Sequence, residues 1–236
     1  MIIDIIHKNQ KENNGLKAVL IDPGKLNNDR LMNSIQLINK SNIDLILVGG
    51  SLISVSIDHT LDIIGGNTDL PIILFPGSLL QISDKADALL LLSLISGRNA
   101  DYLIGNHVIA APVLKQSHLE IIPTGYILIG NGAVSSTQYI SNTLPIPRDK
   151  ADIAVATAIA GELLGNKLIY LEGGSGSQYM VPIEMIKAIR ENISVPIIVG
   201  GGIKTKAQAD EILQAGADMI VIGNAFEENP EFILSL

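Results

Sequence analysis

A carboxylate at the end of an apolar strand, followed at once by a glycine-rich turn, is the feature of this sequence best suited to chemistry. The strand covers residues 167–172 and ends in Glu172, and the turn covers residues 173–177. An apolar strand needs no acid at its end in order to fold. Glycines let a turn expose backbone N–H groups at low steric cost, which is how proteins hold phosphate. The pattern predicts a phosphate-binding turn beside a carboxylate.

Two later turns repeat this pattern after later apolar runs. They are residues 200–202, all glycine, and Gly223 with Asn224. If the three turns converge, their N–H groups and the hydroxyls of Ser175 and Ser177 form a cup for a phosphate monoester, and the N-terminal ends of the following helices add positive potential. The alternative is that the glycines only make tight strand-to-helix turns. Three such turns in succession favour phosphate binding.

An aspartate and a serine near the ends of the first two apolar runs are candidate metal ligands. Asp22 precedes Pro-Gly-Lys25, and Ser51 follows two glycines. One carboxylate and one hydroxyl suit Mg²⁺, which takes oxygen ligands, keeps several waters and relies on substrate phosphates. The alternative for Asp22 is a turn or helix-capping role. Lys25 is either a partner for a diphosphate or a solvated loop lysine.

Eight short apolar runs are spaced along the chain and must position these residues. Most of them lack alternation, which is typical of strands that are buried on both faces of a parallel sheet. The predicted strands are residues 17–22, 44–48, 71–75, 88–92, 120–129, 167–172, 196–199 and 218–222.

Segments with helical periodicity separate most of these strands. The predicted helices are residues 28–40, 149–164, 181–192, 205–215 and 224–236, and residues 1–14 read as a capping segment before the first strand. Strands that alternate with helices indicate a parallel sheet, and eight such units in 236 residues favour a closed (β/α)8 barrel over an open sheet. We therefore expect one domain, residues 1–236, with its active site at the carboxyl ends of the strands.

One connection of the expected barrel is too short for a complete helix. The segment that begins with Pro76 and Gly77 reaches the fourth strand within a few residues. It has room only for a loop or about one helical turn, which needs 3.6 residues. We expect the third barrel helix to be replaced, leaving a gap in the outer wall.

The composition excludes several classes of function. A formal net charge of −8 argues against non-specific nucleic-acid binding, which requires a basic face. The absence of cysteine excludes disulfides and a cysteine nucleophile. The first residues lack the pattern of a signal peptide, and the longest apolar stretch, residues 86–95, is too short to span a bilayer. These features predict a cytoplasmic protein with no transmembrane segment.

Several motifs in order along the chain resemble one family over nearly its whole length. They are LIDPGK (residues 20–25), VGGS (48–51), YLEGGSG (170–176), VGGGI (199–203) and GN (223–224). Together they look like the geranylgeranylglyceryl phosphate synthases, a family that includes the bacterial heptaprenylglyceryl phosphate synthases. SGRN (96–99), PTGY (123–126) and SNTLPIPR (141–148) resemble its subgroup from bacteria and some archaea.

The resemblance implies a prenyltransferase that joins sn-glycerol 1-phosphate to a polyprenyl diphosphate and releases pyrophosphate. By the resemblance, Asp22 and Ser51 would hold Mg²⁺. From its position beside the phosphate-binding turn, Glu172 is predicted to orient and deprotonate the glycerol 3-hydroxyl, so Glu172 and Asp22 are the predicted catalytic residues. A homo-oligomer is implied, and a lipid product suggests transient contact with a membrane surface. By position, glycerol 1-phosphate would be bound by Tyr170, Leu171, Glu172, Gly173, Gly174, Ser175, Gly176, Gly201, Gly202, Gly223 and Asn224. Gly173 departs from the alanine more usual in the family, which leaves the prediction for this turn intact.

Tyr102 is the residue that the resemblance links to prenyl length. The family carries a large residue at this place in enzymes that use C20 chains and a small one in those that use C35 chains, so a tyrosine implies geranylgeranyl diphosphate. The alternative is a packed core tyrosine. Apolar candidates for the prenyl groove, such as Phe75 and Leu92, are explained equally well by core packing.

Two other functions remain open at this stage. One is a different phosphate-binding barrel enzyme, of the kind found in histidine or tryptophan biosynthesis, which binds phosphate in the same late loops without a metal at Asp22 and Ser51. The other is a non-catalytic protein that binds a phosphate ligand. Retention of both Glu172 and Asp22 counts against the second.

Overall fold

Eight parallel strands close into a barrel in sequence order in the computed structural model, which describes residues 1–130, 132 and 134–236. The predicted (β/α)8 barrel is confirmed. The strands are β1 Leu16–Ile21, β2 Leu45–Val48, β3 Ile72–Leu74, β4 Ala88–Leu94, β5 Glu120–Leu128, β6 Leu168–Glu172, β7 Ile197–Gly200 and β8 Met219–Ile222. The first and last strands pair in parallel, with Leu16 opposite Met219, so the barrel has no free edge.

Each strand buries both of its faces, which explains the apolar runs without alternation. In β6, Leu168 and Tyr170 pack with the residues inside the barrel, whereas Ile169 and Leu171 pack between the barrel and its helices. Successive side chains of a strand point to opposite faces, so the two apolar layers require apolar residues at almost every position. The two acidic side chains of interest, Asp22 and Glu172, lie where their strands end, at the rim of the barrel.

Helices surround the barrel and close its lower end. They are α1 Ile2–Glu12, α2 Asn28–Ile38, α3 Ile57–Gly65, α4 Asn106–Gln116, α5 Ser136–Ser141, α6 Ala151–Leu163, α7 Ile183–Arg190, α8 Lys206–Gln214 and α9 Asn224–Glu228. The first of these covers the amino ends of the strands: Ile2 and Ile6 pack with the inner residues, and the backbone N–H groups of Ile2 and Ile3 donate to the carboxylate of Glu120.

The last predicted helix is interrupted. Residues 224–236 form α9 and then a separate 3₁₀ helix, Pro230–Ser235. Pro230 has no backbone N–H, and proline disfavours helical geometry at the residue before it, so the α-helix ends before Asn229. The expectation of one continuous helix was wrong for this reason.

The missing helix after β3 is confirmed. Only a 3₁₀ turn, Leu79–Gln81, lies between β3 and β4. Leu79 and Ile82 pack against the outer apolar layer from this turn, so the barrel wall is covered by a thin loop there. The thin cover leaves room for a groove beside β4.

Within the described residues, none of the helices combines the length and the apolar character that crossing a membrane requires.

Candidate active site

A cavity of about 900 Å³ opens at the carboxyl ends of the strands. Both predicted metal ligands and most of the predicted phosphate-binding residues line it. The predicted residues in its wall are Asp22, Ser51, Tyr102, Tyr170, Glu172, Ser175, Gly176, Gly201, Gly202, Gly223 and Asn224. Residues that lie between 22 and 224 in the sequence therefore share one chamber.

Leu171 is placed differently from the expectation. Its side chain is fully buried in the layer between barrel and helices, because it lies between two strand residues that point inward. A ligand in the cavity could therefore meet Leu171 only through its backbone, and the predicted binding role of Leu171 stays a prediction. Gly173 and Gly174 do not line the cavity either, and they act through their backbone instead.

Glu172 is the most buried acid at this rim. Its side chain is 7% exposed, and its Oε1 atom accepts a hydrogen bond of 2.6 Å from the backbone N–H of Gly174. The hydroxyls of Tyr126 and Tyr170 also hydrogen-bond to this carboxyl group. Three donors from two strands and one turn thus hold a single carboxylate in a fixed orientation.

Burial decides the ionisation of Glu172. Loss of water raises its pKa from 4.5 to about 7, against the lowering effect of the hydrogen bonds from Gly174, Tyr126 and Tyr170. Burial, followed by the negative charge of Glu172, also raises the pKa of both tyrosines well above 10.0, so both keep their phenolic protons and donate. A carboxylate whose pKa lies near neutral pH is suited to take a proton from a hydroxyl group.

Three aromatic rings form the wall beside Glu172. The rings of Phe75 and Tyr170 stack with centroids 5.0 Å apart, and Tyr126 lies 5.3 Å from Tyr170 and 5.9 Å from Phe75. No role was predicted for Tyr126 from the sequence, although this residue ends the PTGY motif. Tyr126 lies opposite Tyr170 in the β5–β6 register, so its side chain also points into the barrel. In the sequence, its position at the end of the PTGY motif was the signal that could have identified it.

The glycines of the β6 and β7 turns allow the two turns to touch. A side-chain carbon on Gly201, whose φ is +86°, would lie 2.7 Å from Oε1 of Glu172 and 2.8 Å from the nitrogen of Gly174. The N–H of Gly173 donates to the carbonyl of Gly200 at 2.8 Å. Any larger residue at position 201 would displace the carboxylate and its donor.

Asn224 joins the β8 turn to the β6 turn. Its Oδ1 atom accepts from the hydroxyl of Ser175 at 2.9 Å and from the N–H of Gly176 at 3.1 Å. The hydroxyl of Ser177 donates to the carbonyl of Tyr179 at 2.5 Å. Both serine hydroxyls that were expected to contact phosphate therefore donate within the protein.

One backbone donor from each of the three turns has no acceptor within the part of the chain that the structure describes. These are the N–H groups of Ser175, Gly202 and Asn224. All three residues line the cavity. Unpaired N–H groups from neighbouring turns are the donors that an oxyanion requires. The convergence predicted for the three turns is present, and the phosphate itself stays a prediction.

The predicted metal ligands lie on neighbouring strands. One carboxylate oxygen of Asp22, Oδ1, accepts from the N–H of Gly24 at 2.9 Å. Gly50 lies against the same carboxylate, since a side-chain carbon there would be 2.7 Å from Oδ2. Ser51 follows Gly50, and its hydroxyl lies 3.5 Å from that of Thr137. No described lysine or arginine forms an ion pair with Asp22.

Basic side chains are scarce around the cavity. Of the described lysines and arginines, only Lys25 and Lys204 line it, and Lys25 pairs with Glu227 at 2.8 Å. Neither arginine that was considered for diphosphate binding lines the cavity: Arg98 donates to the carbonyl of Gly97, and Arg148 lies over the ring of Tyr179.

The cavity continues as an apolar arm past β4. Its wall there includes Leu89 and Leu91 of the outer layer, Leu90 of the inner layer, and Ala110 of α4. Tyr102, from a π-helical turn formed by Asp101–Gly105, also lines the cavity and packs against the inner apolar residues of the barrel. The arm therefore leaves the barrel interior and enters the strand–helix layer next to the missing helix.

Comparison with known proteins places the chain among characterised relatives. A family model described as the PcrB family matches residues 7–235. The chain belongs to the PcrB family. This confirms the resemblance found in the sequence motifs.

Proteins with similar sequences and a similar solved structure share one name. Geranylgeranylglyceryl phosphate synthase of Spirosoma linguale is 50% identical over 220 residues, which cover 93% of this chain and 88% of that protein. The enzyme of the same name from Flavobacterium johnsoniae is 48% identical over 236 residues, covering 98% of this chain and 97% of the relative. The crystal structure of (S)-3-O-geranylgeranylglyceryl phosphate synthase from Thermoplasma acidophilum in complex with sn-glycerol-1-phosphate superposes with a TM-score of 0.93 at 34% identity, covering 100% of this chain and 95% of that one.

The raised pKa of Glu172 predicts how the stability of this PcrB-family protein depends on pH. In the unfolded chain Glu172 ionises near 4.5, but in the folded protein it keeps its proton up to about 7. Between these values the folded state binds more protons than the unfolded state, so stability falls as the pH rises. The full effect is about 3 kcal/mol, at about 1.4 kcal/mol per pH unit.

Urea unfolding of wild type and Glu172→Gln between pH 4 and pH 8 measures this effect. The wild type should lose about 3 kcal/mol relative to the variant across that range, because glutamine cannot ionise. A difference that does not change with pH would contradict the assignment of a raised pKa to Glu172.

Proposed function

We propose that the protein is a prenyltransferase that forms the ether bond between sn-glycerol 1-phosphate and a polyprenyl diphosphate, with release of pyrophosphate. One observation carries the proposal: a buried carboxylate shares one cavity with an apolar arm and with turn N–H groups that have no acceptor among the described residues. The names of the relatives support the same reaction. Geranylgeranyl diphosphate is the expected prenyl donor.

The acceptor half of the site is formed by the three late turns. The N–H groups of Ser175, Gly202 and Asn224 would bind the phosphate of glycerol 1-phosphate. The bound substrate named for the Thermoplasma acidophilum enzyme supports this assignment. With its phosphate in these turns, glycerol 1-phosphate is proposed to direct its 3-hydroxyl toward Glu172.

Glu172 is proposed to orient this hydroxyl and take its proton. The bond between C1 of the prenyl chain and the diphosphate oxygen breaks, the glycerol oxygen bonds to C1, and the proton passes to the carboxylate. Tyr126 and Tyr170 keep the carboxylate in place with their own hydrogen bonds, so it is already oriented for the substrate and needs no reorganisation. The π faces of the adjacent rings suit the partial positive charge that develops on an allylic C1.

Asp22 and Ser51 are proposed to hold Mg²⁺. The donor set fits this ion, because one carboxylate oxygen of Asp22 has no donor among the described residues and Ser51 adds a hydroxyl oxygen from the loop after the adjacent strand. Within the described chain, no three of the histidine and acidic side chains form a metal-binding group, so water and substrate phosphates must supply the other ligands, as Mg²⁺ prefers. Mg²⁺ when bound neutralises the charge of the departing diphosphate.

The charge of the cavity wall also favours a metal. The described wall carries Asp22, Glu172, Glu227 and Glu228 against two lysines, one of which is already paired. A diphosphate would meet a net negative surface without an additional cation. The scarcity of arginine and lysine supports the magnesium proposal.

A cytoplasmic location, a homo-oligomer and a transient membrane contact complete the proposal. Exposed apolar side chains of α4, among them Val108 and Val113, form a surface that a second copy could cover. Leu52 and Val134 are exposed at the cavity mouth, where a lipid product would leave for a membrane.

The reaction is tested by incubating the protein with sn-glycerol 1-phosphate, Mg²⁺ and prenyl diphosphates of 10 to 35 carbons, then measuring product mass. We expect a C20 ether phosphate and pyrophosphate in equal amounts, and no product when a chelator replaces Mg²⁺. Metal-independent turnover of a phosphoribosyl substrate would instead support another phosphate-binding barrel enzyme. Absence of any turnover with bound glycerol 1-phosphate would favour a binding protein.

Tyr102 is proposed to limit the length of the prenyl chain. Tyr102→Ala should lengthen the apolar arm and raise the preference for C35 over C20 diphosphate by about tenfold, a size typical of apolar pocket discrimination. Competition between the two diphosphates, followed by product mass, measures the ratio. Tyr139→Ala removes an exposed tyrosine at the cavity mouth and should leave the ratio unchanged. An unchanged ratio in Tyr102→Ala would remove Tyr102 from chain-length selection.

A further inference from the structure

Gln81 is a buried polar residue in the 3₁₀ turn that replaces the missing helix. Its side chain is 2% exposed, although its neighbour Leu80 is 88% exposed. Glutamine is costly to bury unless its amide is hydrogen-bonded. The hydrogen-bond partners of this amide therefore explain how the side chain can be buried.

The Gln81 amide makes three hydrogen bonds, all to the backbone of two glycines. Its Oε1 atom accepts from the N–H of Gly50 at 3.2 Å and from the N–H of Gly77 at 3.1 Å. Its Nε2 atom donates to the carbonyl of Gly50 at 2.7 Å. Both backbone groups of Gly50 are thus paired with one side chain, thirty-one residues further along the chain.

The loop that contains Gly50 packs directly against the backbone after β3, which leaves no space for side chains between the two segments. A side-chain carbon on Gly49, whose φ is +159°, would lie 1.9 Å from the carbonyl oxygen of Phe75. One on Gly77 would lie 2.2 Å from the carbonyl oxygen of Gly50. Two backbone segments therefore touch directly, and Gln81 supplies the hydrogen bonds between them.

Gly50 also determines where the proposed metal ligands lie. It packs against the carboxylate of Asp22, and Ser51 is the next residue. A displacement of Gly50 would therefore change the separation of these two ligands. The affinity of a metal site depends strongly on the neighbouring groups that fix the orientation of its ligands.

We propose that Gln81 is a positioning residue that holds the Gly50–Ser51 backbone against Asp22, so that the metal and the diphosphate are bound only when the 3₁₀ turn is in place. This inference rests on the magnesium site of the proposed function. It assigns a role to the segment after β3: besides covering the apolar arm with Leu79 and Ile82, the segment completes the polar end of the same chamber.

The test uses Mn²⁺ as a spectroscopic substitute for Mg²⁺, together with inorganic pyrophosphate. Electron paramagnetic resonance measures free Mn²⁺ during titration of wild type, Gln81→Met and the matched control Leu80→Ala. Methionine keeps the length of the side chain and removes all three hydrogen bonds. We expect Gln81→Met to bind Mn²⁺ about 10- to 100-fold more weakly, as is typical when a supporting partner of a metal ligand is lost. Leu80→Ala should bind as wild type does.

Calorimetric titration with glycerol 1-phosphate separates positioning from a merely structural role. Gln81→Met should retain the wild-type affinity, because the β6, β7 and β8 turns have no bond to Gln81. If Gln81→Met binds Mn²⁺ as tightly as the wild type does, the inference is overturned. It is also overturned if the variant loses affinity for Mn²⁺ and for glycerol 1-phosphate to the same extent, since that result indicates a merely structural role. Absence of Mn²⁺ binding by the wild type would overturn it as well. Mn²⁺ binding that depends on Gln81 without ether formation would leave this inference standing and refute the proposed reaction alone.

Amide hydrogen exchange in the wild type provides a second measurement if Gln81→Met does not fold. The N–H groups of Gly50 and Gly77 should be protected, and Mg²⁺ with pyrophosphate should slow their exchange further. Rapid exchange, or exchange at Gly77 that does not respond to Mg²⁺ and pyrophosphate, would overturn the inference, because Gly77 is connected to Gly50 through Gln81.

Discussion

The chemistry of the chamber depends on the burial of one carboxylate among three hydrogen-bond donors. Water exclusion raises the pKa of Glu172 to about 7, and the donors Gly174, Tyr126 and Tyr170 prevent a larger rise. The two effects together give a carboxyl group that is fixed in position and still able to exchange a proton near neutral pH. The surrounding turns follow from this requirement, because Gly201 must be glycine for the carboxylate to fit.

Two halves of the chamber use different physical means to bind charge. The late turns present backbone N–H groups, which are fixed dipoles and need no lysine or arginine. The early loops carry Asp22 and Ser51 and few cations, so in the proposed function a bound metal would be what attracts the diphosphate to them. Glu172 lies between these halves, next to the aromatic wall formed by Phe75, Tyr126 and Tyr170. In the proposed reaction, separate binding of the two phosphates would keep the prenyl donor and the glycerol acceptor from exchanging places.

The sequence allowed much of the fold and part of the site to be predicted, for identifiable reasons. Strands buried on both faces leave apolar runs, and the short connection after β3 left no space for a helix. Asp22 and Glu172 were recognisable because each ends an apolar strand. Gln81 was not, because its role comes from backbone groups that meet only in the folded barrel. The motif that contains Leu171 did not show that its side chain faces the outer layer, because strand residues alternate in direction.

The pH dependence of kcat/KM for the prenyl diphosphate, at saturating glycerol 1-phosphate, tests the role of Glu172 most directly. The wild type should show an activity that rises with pH to a plateau, with a midpoint near the pKa of about 7. Glu172→Gln should still bind glycerol 1-phosphate, but its plateau should fall by about 10²- to 10⁴-fold, the usual contribution of a general base, and the rise should disappear. A variant that keeps the wild-type plateau, or the same rise, would contradict proton transfer to Glu172.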